Sequence, residues 1–406
     1  MRILYFASVD FYAKPNPSFH LMLSMITDLL DTGFQIEFIG CAQEGVEKHI
    51  PDELATNPDF HYKLLTIPNT PKNNFARRYF DGIDYARKAK KVVKTIINTC
   101  DCIFIQSSPT VLYNINVIRE LDKRKPILYN VQDMFPGSSI ASGVMPKKWM
   151  QKVFYRLQKN AYRKSDVMVA ISEDMKTKLM EQGVSEDRIR VIVNWFDDTS
   201  VHEVNWEENT FAKEYHLSKE FFYVQYAGTM GYVFDYKMVL EVAELLKPYE
   251  DIVIQMIGEG SQKNDFIMAA RDRGLDNIQF LPLQPQQRVS EVYSACSVCF
   301  IPLKKGIIGN SVPSKAGLLM ACKRPIVTSV DAGSEYANMI NGNRIGYAIN
   351  NDDPKGVANA ILKLKSNPQE VMLMGNLGYQ FGHSLFSRSN NMKKYITLFN
   401  EMCQKK

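Results

Sequence analysis

With 406 residues, 45% of them apolar and 23% charged, the chain has an ordinary globular composition, and its length favours two or three domains over one. No apolar run approaches the ~20 residues of a membrane-spanning helix, and Met1-Arg-Ile-Leu-Tyr-Phe-Ala-Ser8 reads as a first strand, not a secretory leader, so a cytosolic protein is expected. The net charge of +5 comes from the front of the chain: residues 1–196 hold 27 Lys+Arg against 21 Asp+Glu, whereas 197–406 hold 22 against 23.

From the N-terminus, short apolar or β-branched runs alternate with segments of helical period, the pattern of parallel βα units. Strands are predicted near 2–7, 35–40, 102–106, 126–131, 167–171 and 189–193, with helices starting near 18, 75, 110, 147 and 173. This is one doubly wound α/β domain, residues 1–196. A polar, aperiodic stretch over 197–219 predicts a linker. The alternation restarts with strands near 222–227, 252–257, 278–281, 298–302, 325–328 and 345–349 and helices beginning near 235, 261, 286, 312, 334 and 353, a second doubly wound domain over 220–385. The closing helical pattern, within 386–406, has no strand after it, so it must pack on existing surface, with the first domain as one candidate. Two Rossmann-like domains in tandem predict two sets of strand C-termini facing across a cleft, where open α/β sheets bind ligands, and a two-substrate transfer is the natural use.

Seven scattered cysteines form no disulfide framework. Cys296-Ser-Val-Cys299 has redox or zinc-pair spacing, but no second pair or His completes a shell, so a buried structural role is expected and no metal ligand set is assigned.

Three turns of the second domain suit a phosphate. Strand 222–227 ends in Ala227-Gly228-Thr229-Met230-Gly231, strand 252–257 ends in Gly258-Glu259-Gly260, and Ser311-Val312-Pro313-Ser314-Lys315 opens a helix. Glycines let a ligand approach the backbone, and a helix N-terminus offers N–H groups and a positive dipole end to an anion. Each signal alone is equally a plain turn or cap; together on one sheet edge they point to a nucleotide diphosphate.

These residues resemble the retaining glycosyltransferases of family 4, and within it bacterial capsule and O-antigen sugar transferases. The resemblance runs along nearly the whole chain through Gln132-Asp-Met-Phe-Pro136, Asp166-Val-Met-Val-Ala-Ile-Ser-Glu173, Ile192-Val-Asn-Trp-Phe-Asp197, Tyr226-Ala-Gly-Thr-Met-Gly231 and Ile257-Gly-Glu-Gly260. It continues in Phe280-Leu-Pro282, Ile301-Pro-Leu303, Val312-Pro-Ser-Lys315 and Met320-Ala-Cys-Lys-Arg-Pro-Ile-Val327. It implies a GT-B fold, an acceptor-binding first domain, a second domain binding a UDP- or GDP-type nucleotide-sugar, and retaining, metal-independent transfer of a hexosyl unit in polysaccharide or glycolipid assembly, with a lipid-linked glycan as acceptor and no cofactor. The donor contacts it implies include the three turns together with Pro282, Leu283, Asn310 and Leu318. Asn310 and Leu318 stand where the family usually carries two glutamates, and Lys323-Arg324 replaces a usual glycine turn. A catalytically silent GT-B protein that binds a nucleotide-sugar or a partner transferase is the alternative those departures support.

The sequence itself contains no Asp-x-Asp, the metal-clamping motif of single-domain transferases, so positive charge on a leaving diphosphate must come from elsewhere: Lys315, its helix start and the 228–231 amides. In the first domain Asp133 follows a predicted strand end. Its carboxylate either orients or deprotonates an acceptor hydroxyl, with the Gln132 amide holding the donor sugar, or caps the following turn. The helix over 147–164 contains seven basic residues and no acid, interleaved with aromatic and aliphatic side chains. Lys147, Lys148, Trp149, Lys152 and Arg156 therefore form either a solvated face or a surface for anionic membrane. The second reading places the protein peripherally on the inner face of the membrane. No DNA- or RNA-binding motif accompanies the charge, so nucleic acid is not expected.

Overall fold

The computed structural model describes residues 1–8, 19–46, 50–71, 74–141, 143, 145–310 and 315–404. The chain divides into two compact units, one of Met1–Ser138, Met145–Asn194 and Met392–Lys406, the other of Ser139–Val144 and Trp195–Asn391.

The first unit runs β1 (Arg2–Phe6), α1 (Phe19–Asp31), β2 (Gln35–Gln43), α2 (Asp52–Ala55), β3 (Phe60–Ile67), α3 (Phe75–Ile96) and β4 (Cys102–Gln106). It continues with α4 (Val111–Leu121), β5 (Ile127–Val131), α5 (Gly137–Ala141), which groups with the second unit from Ser139, then α6 (Lys148–Lys164), β6 (Val167–Ala170), α7 (Glu173–Glu181) and β7 (Ile189–Val191). The strands form one parallel sheet in the order β3-β2-β1-β4-β5-β6-β7. Its central strands are covered on both faces, which is why β1, β4 and β5 are mostly apolar and do not alternate with polar residues. Side-chain caps fix where helices begin: Asn74 accepts from the Arg77 N–H at 3.1 Å and Ser172 from the Met175 N–H at 3.0 Å.

The second unit carries α8 (Thr210–Glu214), β8 (Phe222–Ala227), α9 (Tyr236–Leu246), β9 (Ile252–Ile257), α10 (Lys263–Asp272), β10 (Ile278–Leu281), α11 (Val289–Ser294) and β11 (Val298–Pro302). After these come α12 (Ala316–Ala321), β12 (Ile326–Val330), α13 (Glu335–Gly342), β13 (Gly346–Asn350), α14 (Pro354–Ser366) and α15 (Pro368–Phe386). Its sheet is also parallel, in the order β10-β9-β8-β11-β12-β13. The stretch 197–219, expected as a linker, is instead packed into this unit. Val201, Phe211 and Ala212 are buried, Asn209 Nδ2 donates to Glu291 O at 2.8 Å, and the His202 N–H donates to Ser290 Oγ at 3.2 Å. The polarity that suggested a linker is used in hydrogen bonds.

The last helix, α16 (Arg388–Gln404), groups with the first unit from Met392 onward. There the Phe399 ring lies 6.2 Å from Phe34 and 6.1 Å from Phe104, and Cys403 Sγ is 3.2 Å from Cys102 Sγ. All seven cysteines are free and buried, Cys296 and Cys299 with thiols 3.5 Å apart. Among the described residues no helix is long and apolar enough to cross a membrane.

Candidate functional site

In each sheet the strand order reverses once, between β1 and β4 in the first unit and between β8 and β11 in the second. Loops leaving the C-terminal ends of such neighbouring strands diverge and open a crevice, the place where α/β sheets take ligands.

In the second unit, the turn after β8 sits directly on the turn after β9. Gly228 N–H donates to Ile257 O at 2.8 Å and Met230 N–H to Glu259 O at 2.9 Å. Gly258, at φ +141°, leaves no space for a side chain, because a Cβ there would lie 2.0 Å from Gly228 O. Two of the four amides expected to face a phosphate, those of Gly228 and Met230, are therefore spent on the neighbouring turn. Thr229 and Glu259 are exposed, with Glu259 paired to Lys263 at 2.6 Å.

Lys315 brings a cation to this turn. Its ammonium lies 3.6 Å from the Tyr226 ring centroid, and a Cβ on Gly228 would fall 2.2 Å from Nζ, so the side chain lies flat across the glycine. Burial pushes this ammonium down to about 7. A second cation, Lys304, follows β11. Its Nζ lies 3.3 Å from Gln262 Oε1, burial lowers its pKa, and Gln262 in turn donates its N–H to Met230 O at 3.0 Å and its amide to Gly231 O. Lys304 and Gln262 went unnoticed in the sequence, although Lys304 directly follows the Ile301-Pro-Leu303 segment that marked this strand end.

The other expected donor contacts divide. Pro282 and Leu283 are exposed just past β10. Asn310 is buried and donates Nδ2 to Gly306 O at 3.0 Å, bracing its own loop. Leu318 is half-buried against the apolar cluster of Phe196, Ile301 and Met320. Ser311, Val312, Pro313 and Ser314 lie outside the described residues.

In the first unit, Gln132 and Asp133 follow β5. A chain of amides and one phenol fixes Gln132: Asn194 Nδ2 donates to its Oε1 at 2.8 Å, its Nε2 donates to Asn130 Oδ1 at 3.2 Å, and Tyr395 of α16 donates to that same Oδ1 at 3.2 Å. Its backbone N–H donates to Ser107 Oγ, after β4, at 3.1 Å. Asp133 next to it is exposed. Asn130, Asn194 and Tyr395 were not identified from sequence: Asn194 lies 62 residues from Gln132 and Tyr395 lies 265 from Asn130, and Asn130, though near Gln132, sits inside an apolar strand. Lys147, at the start of α6, and Lys148, Trp149, Lys152 and Arg156 on it are all exposed.

Residues 21–200 match the family described as Glycosyltransferase Family 4, and residues 222–367 match Glycosyl transferases group 1. The chain is 27% identical over 320 residues to a probable glycosyltransferase, WbjE, of Pseudomonas aeruginosa, covering 75% of this chain and 76% of that protein. It is 24% identical over 175 residues to the putative colanic acid biosynthesis glycosyl transferase WcaI of Escherichia coli, covering 43% of each. Its fold is similar to that of Anabaena HepE, crystallised with UDP-glucose, with a TM-score of 0.73 at 13% identity over 99% of this chain and 100% of that one. With two doubly wound sheets and both family matches in chain order, the protein belongs to the glycosyltransferases of family 4 and has the GT-B fold.

Proposed function

We propose that the protein transfers a hexosyl unit, with retention and without metal, from a UDP- or GDP-type nucleotide-sugar to a lipid-linked glycan in polysaccharide or glycolipid assembly, working on the inner face of the membrane. The observation that carries this reading is the second-unit crevice, where Lys315 lies across Gly228 and Lys304 reaches Gln262, which holds the Met230–Gly231 end of the same turn. Cations at that position stabilise a departing nucleoside diphosphate as the sugar–phosphate bond breaks and the bond to the acceptor oxygen forms. In the first unit, Gln132, held from both ends of its amide, presents a rigid polar edge, and the exposed Asp133 receives the acceptor hydroxyl's proton. The UDP-glucose held by HepE and the colanic acid named for WcaI support the donor class and the polysaccharide setting. The exposed basic stripe of α6 supports the membrane setting.

The test combines a thermal-shift screen of nucleotide-sugars with transfer to lipid-linked acceptors by wild type and Asp133→Asn. Transfer should occur, and the variant should lose roughly 100-fold or more in turnover with donor affinity unchanged. A second reading, a silent binder, draws on Asn310 and Leu318, whose side chains serve a loop and the core. Donor binding by wild type with no turnover on any lipid-linked acceptor would establish it instead.

A further inference from the structure

Helices α3 and α6 both pack on α4, and their first two turns meet through aromatic rings. Phe154 lies 5.1 Å from both Tyr79 and Phe135 and 6.1 Å from Phe75, while Tyr79 lies 6.2 Å from Tyr113 over the start of α4. These rings occupy one another. Three large apolar side chains on the same turns do not share that burial: Phe80 and Trp149 are each 65% exposed and Val153 is 45% exposed.

The charged groups around them are mostly cations, and the half-exposed Asp84, one turn beyond Phe80, is paired with Lys88 at 2.9 Å. Arg77, Arg78, Lys148, Lys152 and Arg156 are exposed, and α6 contains no acid. The nearest acid on α3, Asp81, is buried and engaged by Thr70 and by Arg77 at 3.2 Å. Exposed aromatic and aliphatic groups ringed by cations are what an anionic lipid surface selects: the apolar groups enter the headgroup–acyl boundary while the cations meet the phosphates.

We propose that Phe80, Trp149 and Val153 insert together into an anionic leaflet, so that α3 and α6 dock as one two-helix surface. The inference rests on the membrane setting proposed above and adds a second helix and an orientation. Phe135, which packs on Phe154, is two residues from Asp133, so insertion brings the end of β5 that carries Gln132 and Asp133 beside the lipid headgroups. An acceptor sugar on a membrane lipid then reaches that edge without its lipid leaving the bilayer.

Sedimentation with phosphatidylcholine vesicles, with and without phosphatidylglycerol, tests this on the full chain. Phe80→Ser and Trp149→Ser should each lower the partition coefficient on anionic vesicles roughly tenfold, the loss expected for an aromatic side chain left in water. The combined Phe80, Trp149 and Val153 variant should fall to the level of neutral vesicles. Met180→Ser, which changes an exposed apolar residue on α7, should bind as wild type does. All these side chains are exposed, and circular dichroism checks that each variant is folded. If Phe80→Ser binds like wild type while a Lys148, Lys152 and Arg156 to Gln variant does not, docking is by the charge of α6 alone and the two-helix surface is overturned. If wild type ignores anionic vesicles, the membrane setting falls with it, while nucleotide-sugar binding by calorimetry reports on the transferase reading independently.

Discussion

Lys315 is charged or neutral near physiological pH because its surroundings are poor in solvent, and a bound diphosphate would restore the protonated form. Above about pH 7 the free protein must take up a proton to bind the anion, so donor affinity should weaken as pH rises, by up to ~10-fold per unit until the bound-state pKa is passed. Calorimetry of UDP at pH 6.5, 7.5 and 8.5 in two buffers of different ionisation enthalpy checks both affinity and proton uptake. A pH-independent affinity with no proton uptake would separate Lys315 from the anion. The motif and helix start drew attention to Lys315, and the resemblance drew it to Gln132 and Asp133. What held them in place was not legible, since Asn194, Asn130 and Tyr395 act on Gln132 through contacts separated by up to 265 residues.

Two elements absent from the sequence reading show which physical signals fail. Strand β3 is an edge strand with six of its eight residues exposed or only partly covered in no regular alternation, so neither an apolar run nor a period of two marks it. Helix α15 contains Gly375, Gly378 and Gly382, which read as helix breakers. In the fold they form the side that α12 and its following turn approach: a Cβ on Gly375 would lie 2.4 Å from Lys323 O, and one on Gly382 would lie 2.6 Å from Met320 Cβ. Helix propensity alone predicts that Gly375→Ala stabilises by up to ~1 kcal/mol. Close packing against a backbone carbonyl predicts the reverse, a loss of about 1–3 kcal/mol. Urea denaturation decides between them, and an unchanged or raised midpoint would refute the packing account. The polar 197–219 stretch gives the same lesson from the other side, because hydrogen bonds to α11 and the residues before it conceal a packed segment.

At the scale of the whole molecule, the alternation of apolar and amphipathic segments was sufficient to specify two parallel sheets; in the second the reversal point between β8 and β11 coincides with a turn singled out for ligands, whereas in the first the singled-out Gln132–Asp133 turn follows β5, the strand next to the reversal between β1 and β4. In the proposed reading, with no Asp-x-Asp in the sequence, charge on the leaving diphosphate is met by lysines, so transfer should persist in EDTA; loss on chelation with recovery on adding magnesium or manganese would contradict the proposed site. The most direct test of the account is a calorimetric titration of wild type and Lys315→Ala with UDP-glucose and GDP-mannose at pH 7. Wild type should bind one of the two, and the variant, folded by circular dichroism, should bind it ~1.5–3 kcal/mol more weakly, the loss of a charge-assisted hydrogen bond. Equal affinity in the two proteins would contradict the placement of the donor diphosphate across Gly228 and Lys315.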